Sequence, residues 1–564
     1  MTAIPPYPGL RPFQPEEAHL FFGREAQVED MLARLEAHRF LAVVGTSGCG
    51  KSSLVRAGLI PALEQGFLSH AQPNWRMAIT RPGSDPFANL TEALLQDSAL
   101  GPERHAEDAV ALLEAILRRG PLGLEEAVAE SYLPEGTNLL LLVDQFEEIF
   151  RYRQQTAQRD DADAFVSLLL AATQSGPSRV PIYVVITMRS DFIGDCALFA
   201  GLPEAINDSQ FLTPRLTRDE YHDAIVEPAK AANGHLSEML VNRLLNDLRG
   251  EPDQLPVLQH LLMRMWTQAS SHDAMRELSL RDYESAGGLA GALSKHCDDI
   301  LAGLEADQQR IAAVLFRALC ERGMDQRDTR RPVKLGDVAA IAEVEAEAAK
   351  PVVDAFRGEG RHFLMPPIST PLEAETLLDI SHESLIRHWQ TLNAWVEAEA
   401  ESARQYQRLE DVAERHQKGA AELWRGVDLH HAQQWKEREA PTPAWAARYG
   451  DAYPLAMAFL EQSDTEEKAQ QAQREEEQKR TLEQARELAE TQKARADEQS
   501  RAARRFQIVA IVIGVLLLAT MGVAIYARYQ QNIATKAQQQ AERDKRQAWC
   551  QDTFAKVSSN RSLT

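Results

Sequence analysis

Gly45-Thr46-Ser47-Gly48-Cys49-Gly50-Lys51-Ser52 fits the spacing G-x-x-x-x-G-K-S without a gap. Its glycines let backbone N–H groups curl around an anion, and the helix that follows turns its positive end toward the same point. In such a loop the lysine, here Lys51, reaches the outer phosphates of a nucleotide, and the hydroxyl of Ser52 can ligate Mg2+. Ser53, one residue on, joins the candidate nucleotide contacts. The apolar run LAVV from Leu41 precedes the loop and the helical pattern SSLVRAGLIPAL follows it, which is the strand, loop and helix context this chemistry needs.

A second cluster closes another apolar run. LLLLVDQFEEIF puts Asp144 at the tip of a buried strand, with Glu147 and Glu148 just beyond. An acid at such a tip can hold Mg2+ through water, and a glutamate past it can orient or deprotonate an attacking water. The run IYVVIT then leads into Met188-Arg189-Ser190-Asp191. An arginine at the C-terminal edge of a parallel sheet lies beside the ligand crevice and could sense a terminal phosphate; a plain ion pair with Asp191 is the alternative.

These residues need a sheet to hold them. LAVV, MAI from Met77, LLLLV from Leu139 and IYVVIT from Ile182 alternate with helical stretches, which predicts parallel strands buried on both faces and an α/β module over 1–216. From Thr217 to Ser463 nearly every pattern is helical. The exception, HFLMPPISTPLEAETLLDIS near 362–381, reads as two short strands around a proline-rich turn.

The chain has 564 residues, 44% hydrophobic and 26% charged, enough for several packed cores. Its net charge of −22 argues against broad affinity for nucleic acid or anionic lipid, since a negative surface repels both. Cys49, Cys196, Cys297, Cys320 and Cys550 show neither metal-ligand spacing nor a disulfide framework, and read as ordinary thiols of a reducing compartment. The N-terminus lacks the basic and apolar regions of a secretory signal. Residues 464–505, rich in Glu, Gln, Lys, Arg and Ala, predict a long charged helical stalk. The uncharged run Ile508 to Ala527 predicts one transmembrane helix over 506–527, with a short polar tail over 528–564. The expected location is therefore a single-pass membrane protein, its ATP-using N-terminal region in the cytoplasm.

Taken together, these stretches resemble the STAND class of P-loop NTPases, and specifically the novel STAND NTPase group often fused to WD40 propellers. The resemblance covers roughly residues 5–465 and rests on PYPGLRPFQPEEAHLFFGRE, the phosphate loop, WRMAITRPGSDPF, LLLLVDQFEEIF, VVITMRSDFIGD, QLPVLQHLLMRMW, GGLAGAL and ISHESLIRHW. It implies an ASCE-type parallel sheet, then a helical lid over 217–294, a winged-helix domain over 295–395 and a helical domain over 396–463. Phe22, Gly23 and Arg24 fall where the class lines its adenine pocket, and Pro256 aligns with a proline that packs on the nucleotide. Asp144 is similar to the Mg2+-associated acid, Glu147 and Glu148 to a displaced acidic pair, and Arg189 to the sensor arginine. His382 resembles the histidine that contacts the β-phosphate of ADP in the off state, although Glu383 follows where another branch carries Asp.

In the family the winged helix is a regulatory lid. Glu343, Glu345 and Glu347 surround the helix that would enter a DNA groove, so direct nucleic-acid binding is not expected. The implied function is a membrane-anchored ATP/ADP switch with Mg2+, slow hydrolysis and a homo-oligomer in the ATP state. A continuously cycling ATPase motor and a nucleotide-stabilised scaffold are the alternatives. No protease or nuclease signature is read before residue 5, and no internal repeat of propeller period is found along the 564 residues. A naturally short chain, a truncated one, and one that depends on a separate sensor or effector protein are thus all open.

Overall fold

β1 (Phe40–Gly45), β2 (Asn74–Thr80), β3 (Thr137–Val143), β4 (Ile182–Arg189) and β5 (Gln210–Leu212) form one parallel sheet in the order β2-β3-β4-β1-β5. The computed structural model describes residues 5–101, 107–131, 133–154, 158–174, 180–248, 254–269, 276–322, 328–358, 360–513, 524–537 and 540. Alternate strand residues enter different cores. Ala42, Val44, Leu139, Leu141, Val184 and Ile186 pack on one face, while Leu41, Val43, Leu140, Leu142, Tyr183 and Val185 pack on the other. Both faces are covered, which is why the strands read as unbroken apolar runs rather than as alternating patterns.

The register fixes the site. β4 lies between β1 and β3 and pairs Gly45 with Arg189 and Val143 with Ile186. The phosphate loop, the tip of β3 and Arg189 therefore emerge side by side at the C-terminal edge of the sheet, where open α/β folds bind ligands.

Beyond the sheet, two further apolar cores gather. One joins the helices Arg218–Ala231, Glu238–Asp247 and Leu255–Gln268. The other gathers the helices Ala306–Ala318, Leu335–Ala342 and Ala346–Arg357 with a three-stranded antiparallel sheet of Val333–Lys334, Leu377–Ile380 and Leu364–Met365. Two of those strands answer the expectation near 362–381; the third, Val333–Lys334, is too short to announce itself in the sequence.

The N-terminal segment stitches these cores together. Tyr7 packs in the first and donates its hydroxyl to the Ile225 carbonyl at 2.5 Å, and Leu10 packs in the second. Phe13 packs with Leu20 and Ala57.

The chain divides into two compact units, Met1–Glu422 with His430–Leu460, and Leu423–Leu429 with Glu461–Thr564. From Glu461 on, the helix Tyr453–Ile513 belongs to the second, and it carries i,i+4 pairs such as Lys468–Asp464 at 2.7 Å and Arg480–Glu476 at 2.6 Å.

The expected transmembrane helix over 506–527, and the single-pass membrane location drawn from it, are corrected: no helix among the described residues is long and apolar enough to cross a membrane. Tyr453–Ile513 is charged along most of its length. Residues 514–523 of the expected span and 538–539 and 541–564 of the tail lie outside the described residues.

Candidate functional site

One pocket lies over the sheet edge, and three parts of the first unit line it. The phosphate loop contributes Ser47, Gly48, Gly50, Lys51, Ser52 and Ser53. Gly48 and Gly50 take positive φ of 74° and 93°, a backbone that side chains resist, and this lets the loop turn back into its helix. Lys51 Nζ donates to the Gly45 and Thr46 carbonyls at 3.0 and 2.7 Å, both neutral partners that a phosphate can displace. Gly45, Thr46 and Cys49 frame the loop without lining the pocket.

Asp144 is fully buried behind Ser52. Its Oδ1 accepts from the Ser52 and Thr187 hydroxyls, both at 2.7 Å, and its Oδ2 meets Arg56 at 3.0 Å with Arg81 further off at 3.9 Å. Burial alone would raise its carboxyl, but Arg56, Arg81 and the two hydroxyls outweigh it and bring the pKa down to about 2. An ionised carboxylate beside a serine hydroxyl is the oxygen donor set a hard divalent cation takes, so the residues fit Mg2+. Ser52 would hold the ion directly and Asp144 through water; bound there, it would neutralise phosphate charge.

The two glutamates have different surroundings. Glu147 lines the pocket, and its Oε2 atom is buried with no hydrogen-bond partner among the described residues. Burial pushes its carboxyl up, against the pull of its own backbone N–H and of Lys51. Glu148 turns away and accepts from the Gly83 N–H at 3.0 Å; burial raises its carboxyl too, against Arg81 and Arg330. Between Asp144 and Glu147, Gln145 holds a left-handed φ of 58° and donates its N–H to Thr187 Oγ1 at 3.0 Å.

The facing wall comes from Ser381, His382, Glu383 and Arg330, with Leu255, Pro256 and Gln259 at one side. His382 Nδ1 accepts from the Ser384 N–H at 3.1 Å, so in the neutral ring the proton sits on Nε2. Burial first, then Arg330 and Lys51, bring its pKa down to about 4, and the ring is neutral at pH 7. Arg330 reaches across to Gln145 Oε1 at 3.2 Å while holding Asp379 at 3.0 Å. Arg189 meets both oxygens of Glu383, at 2.7 and 2.8 Å.

Phe22 and Arg24 line the pocket; Gly23 does not. Gly23 instead makes a tight turn, φ 80°, against the Glu220 carbonyl, where a Cβ would come within 2.5 Å. Arg24 donates to the Pro214 and Cys49 carbonyls at 2.9 and 3.0 Å, bracing the phosphate loop from behind.

Sequence reasoning missed Arg56, Arg81, Thr187, Arg330 and the strap from Pro8 to Phe13, which also lines the pocket. Arg81 follows β2 as Arg189 ends β4, so the same edge-of-sheet rule could have found it. Arg330 had no such local signal.

A family model described as Novel STAND NTPase 1 matches residues 6–422. The chain belongs to that family. A novel STAND NTPase is a P-loop protein, and the loop, the Asp144 tip and the parallel sheet agree with that membership. Curated proteins give no match. Among solved structures, Cdc6p from Pyrobaculum aerophilum is 14% identical, with 67% of this chain and 94% of that chain covered and a TM-score of 0.29. The Aeropyrum pernix ORC2 protein in its ADPNP-ADP complexes is 14% identical, covers 66% and 93%, and has a TM-score of 0.35. The Walker-type ATPase of Pyrococcus abyssi is 13% identical, covers 67% and 98%, and has a TM-score of 0.29. Likenesses of that size carry no inference about this novel STAND NTPase.

Proposed function

We propose that this novel STAND NTPase is a switch in which an adenine nucleotide, bound with Mg2+, sets the arrangement of the sheet module against the segment around His382. The observation that carries the reading is that His382 and Glu383 line the same pocket as Gly48 and Lys51. A nucleotide held there touches both modules, so its phosphate count can favour one arrangement over another, and only such differential binding shifts an equilibrium. We read the three helices and small sheet behind His382 as a winged-helix lid. The neutral His382 Nε2–H supplies a donor for an inner phosphate of a diphosphate. Replacement of the diphosphate by a triphosphate releases the lid and exposes surface for self-association, and slow hydrolysis, with Glu147 placing the water, resets it.

The test compares wild type and His382→Ala by size-exclusion with light scattering, under ADP and under a non-hydrolysable triphosphate. The expected result is a larger assembly with the triphosphate, and assembly of His382→Ala already under ADP. Identical profiles for both proteins under both nucleotides overturn the switch. A turnover well above about one per second favours a cycling ATPase instead, since typical enzymes run near ten per second.

A further inference from the structure

The strap Tyr7-Pro8-Gly9-Leu10-Arg11-Pro12-Phe13 forms neither helix nor strand, yet Tyr7, Leu10 and Phe13 are only 0%, 3% and 6% exposed. Irregular backbone ordinarily runs over the surface, where water satisfies it. This segment is held at both ends. Tyr7 donates its hydroxyl to the Ile225 carbonyl and meets Trp266 edge to face at 6.2 Å, in the core of the helices Arg218–Ala231 and Leu255–Gln268. Phe13 donates its N–H to Ser53 Oγ at 3.2 Å, one residue past Ser52 of the phosphate loop, and Glu17 holds Arg11 at 2.6 and 2.5 Å. Between those anchors Leu10 enters a different core, the one that contains Phe316, Val338, Phe356 and Phe363.

The strap is also stiff. Pro8 and Pro12 restrict their own φ, and Gly9 takes a φ of 74° so close to the lid helix that a Cβ would stand 3.2 Å from Met263 Cε. Leu10 is three residues from Tyr7 and three from Phe13, and a fully extended chain covers only about 10 Å over that length. So short a segment takes up little movement by stretching. Once its slack is used, separation of the Leu10 core from the other two pulls an anchor out. Tyr7 would lose a hydrogen bond with its buried ring, and Phe13 its bond to Ser53. Leu10 gives up apolar contacts alone, so it is the anchor that yields.

We propose that Leu10 is a latch: seated from the N-terminal strap, it pins the core of the helices Ala306–Ala318, Leu335–Ala342 and Ala346–Arg357 to the sheet module, and its withdrawal is the step that frees that core. The inference rests on the switch reading above and adds the contact that breaks when the switch opens. Pro8 to Phe13 also line the nucleotide pocket. A nucleotide held there lies against the strap itself, so a change in what is bound acts on the latch without an intermediary.

The experiment uses the full-length protein with Mg2+ and either ADP or a non-hydrolysable ATP analogue, read by light scattering after size-exclusion and by hydrogen exchange over residues 5–14. In wild type, exchange in that stretch is expected to rise by about fivefold or more when the analogue replaces ADP. Leu10→Ala empties the seat and is expected to raise the ratio of assembled to unassembled protein under ADP by about tenfold or more. Leu10→Met refills the seat and is expected to behave as wild type. Val352→Ala, in the same core but not on the strap, is expected to lower the melting temperature without assembly under ADP. Should Leu10→Ala fold poorly, the exchange measurement on wild type decides alone. Equal exchange under both nucleotides, a Leu10→Ala protein that assembles only with the analogue, or equal assembly of Val352→Ala under ADP overturns the latch. The switch itself then stands if wild type still assembles with the analogue and His382→Ala under ADP; if neither does, both readings fall.

Discussion

The Ser52 hydroxyl donates to Asp144 Oδ1 across 2.7 Å, tying the start of the phosphate-loop helix to the tip of β3. On the other oxygen sits Arg56, from the next turn of the same helix. Asp144→Asn leaves Arg56 facing a neutral group in a buried setting, and removing one partner of such a pair costs about 3 kcal/mol or more. The expected outcome is a lowered unfolding midpoint in denaturant together with loss of Mg2+-dependent turnover. Because the folded carboxyl titrates near 2 rather than at 3.8, its contribution is complete above about pH 4 and disappears as pH falls toward 2. The variant's acid-unfolding curve is expected to be flatter in that window.

Lys51→Ala removes the loop's one cationic side chain from the phosphates. Nucleotide affinity is expected to fall by about a hundredfold or more, as measured by calorimetry, because a charge-assisted contact in a shielded pocket has no substitute nearby. The fold itself is expected to change little, since Lys51 contacts only groups of its own loop among the described residues, the Gly45 and Thr46 carbonyls and the Cys49 sulfur.

Glu147 and Glu148 are expected to separate by role. Glu147→Gln is expected to lower the single-turnover hydrolysis rate by about a hundredfold or more with nucleotide affinity retained, as for loss of a general base. Glu148→Gln, whose side chain holds the Gly83 N–H, is expected to alter stability more than chemistry. Equal rate losses in both variants would remove the distinction.

His382 titrates near 4 in the folded protein against an ordinary 6.5, and burial and Arg264 hold His296 near 4 as well. Between about pH 6.5 and pH 4 the unfolded chain binds protons that the folded chain refuses, so stability is whole above that window and declines as pH drops through it. Thermal melts are expected to fall from pH 7 to pH 5, and His382→Gln, which cannot titrate, to show a smaller drop.

Arg330→Ala breaks the bridge from Asp379 to Gln145 and leaves Asp379 without its nearest cation. A loss of about 3 kcal/mol in unfolding free energy is expected from the unpaired acid. The strands Leu364–Met365 and Leu377–Ile380 should then become more open to protease, which limited digestion measures directly.

Short-range chemistry is what the sequence determined by itself. Gly45 to Ser52, Asp144 and Arg189 were legible because each ends an apolar strand, and a parallel sheet delivers every such end to one edge. The apolar runs themselves told that both sheet faces are buried. The membrane span was read from hydropathy alone, which counts apolar residues without showing the helix that would carry them; no helix among the described residues is long and apolar enough to cross a membrane.

Tertiary structure alone decided what faces the phosphates from outside the sheet. Arg330 reaches Gln145, and Glu383 reaches Arg189, only because separately packed cores bring distant chain segments together. No spacing rule encodes such pairs, since nothing local fixes their distance. The same packing separated Glu147 from Glu148: adjacent in sequence, one lines the pocket and keeps a buried oxygen without a hydrogen-bond partner among the described residues, and the other holds the Gly83 N–H. Residue type set the chemistry available at each point, and the folded environment set which groups keep a charge and which oxygen remains free.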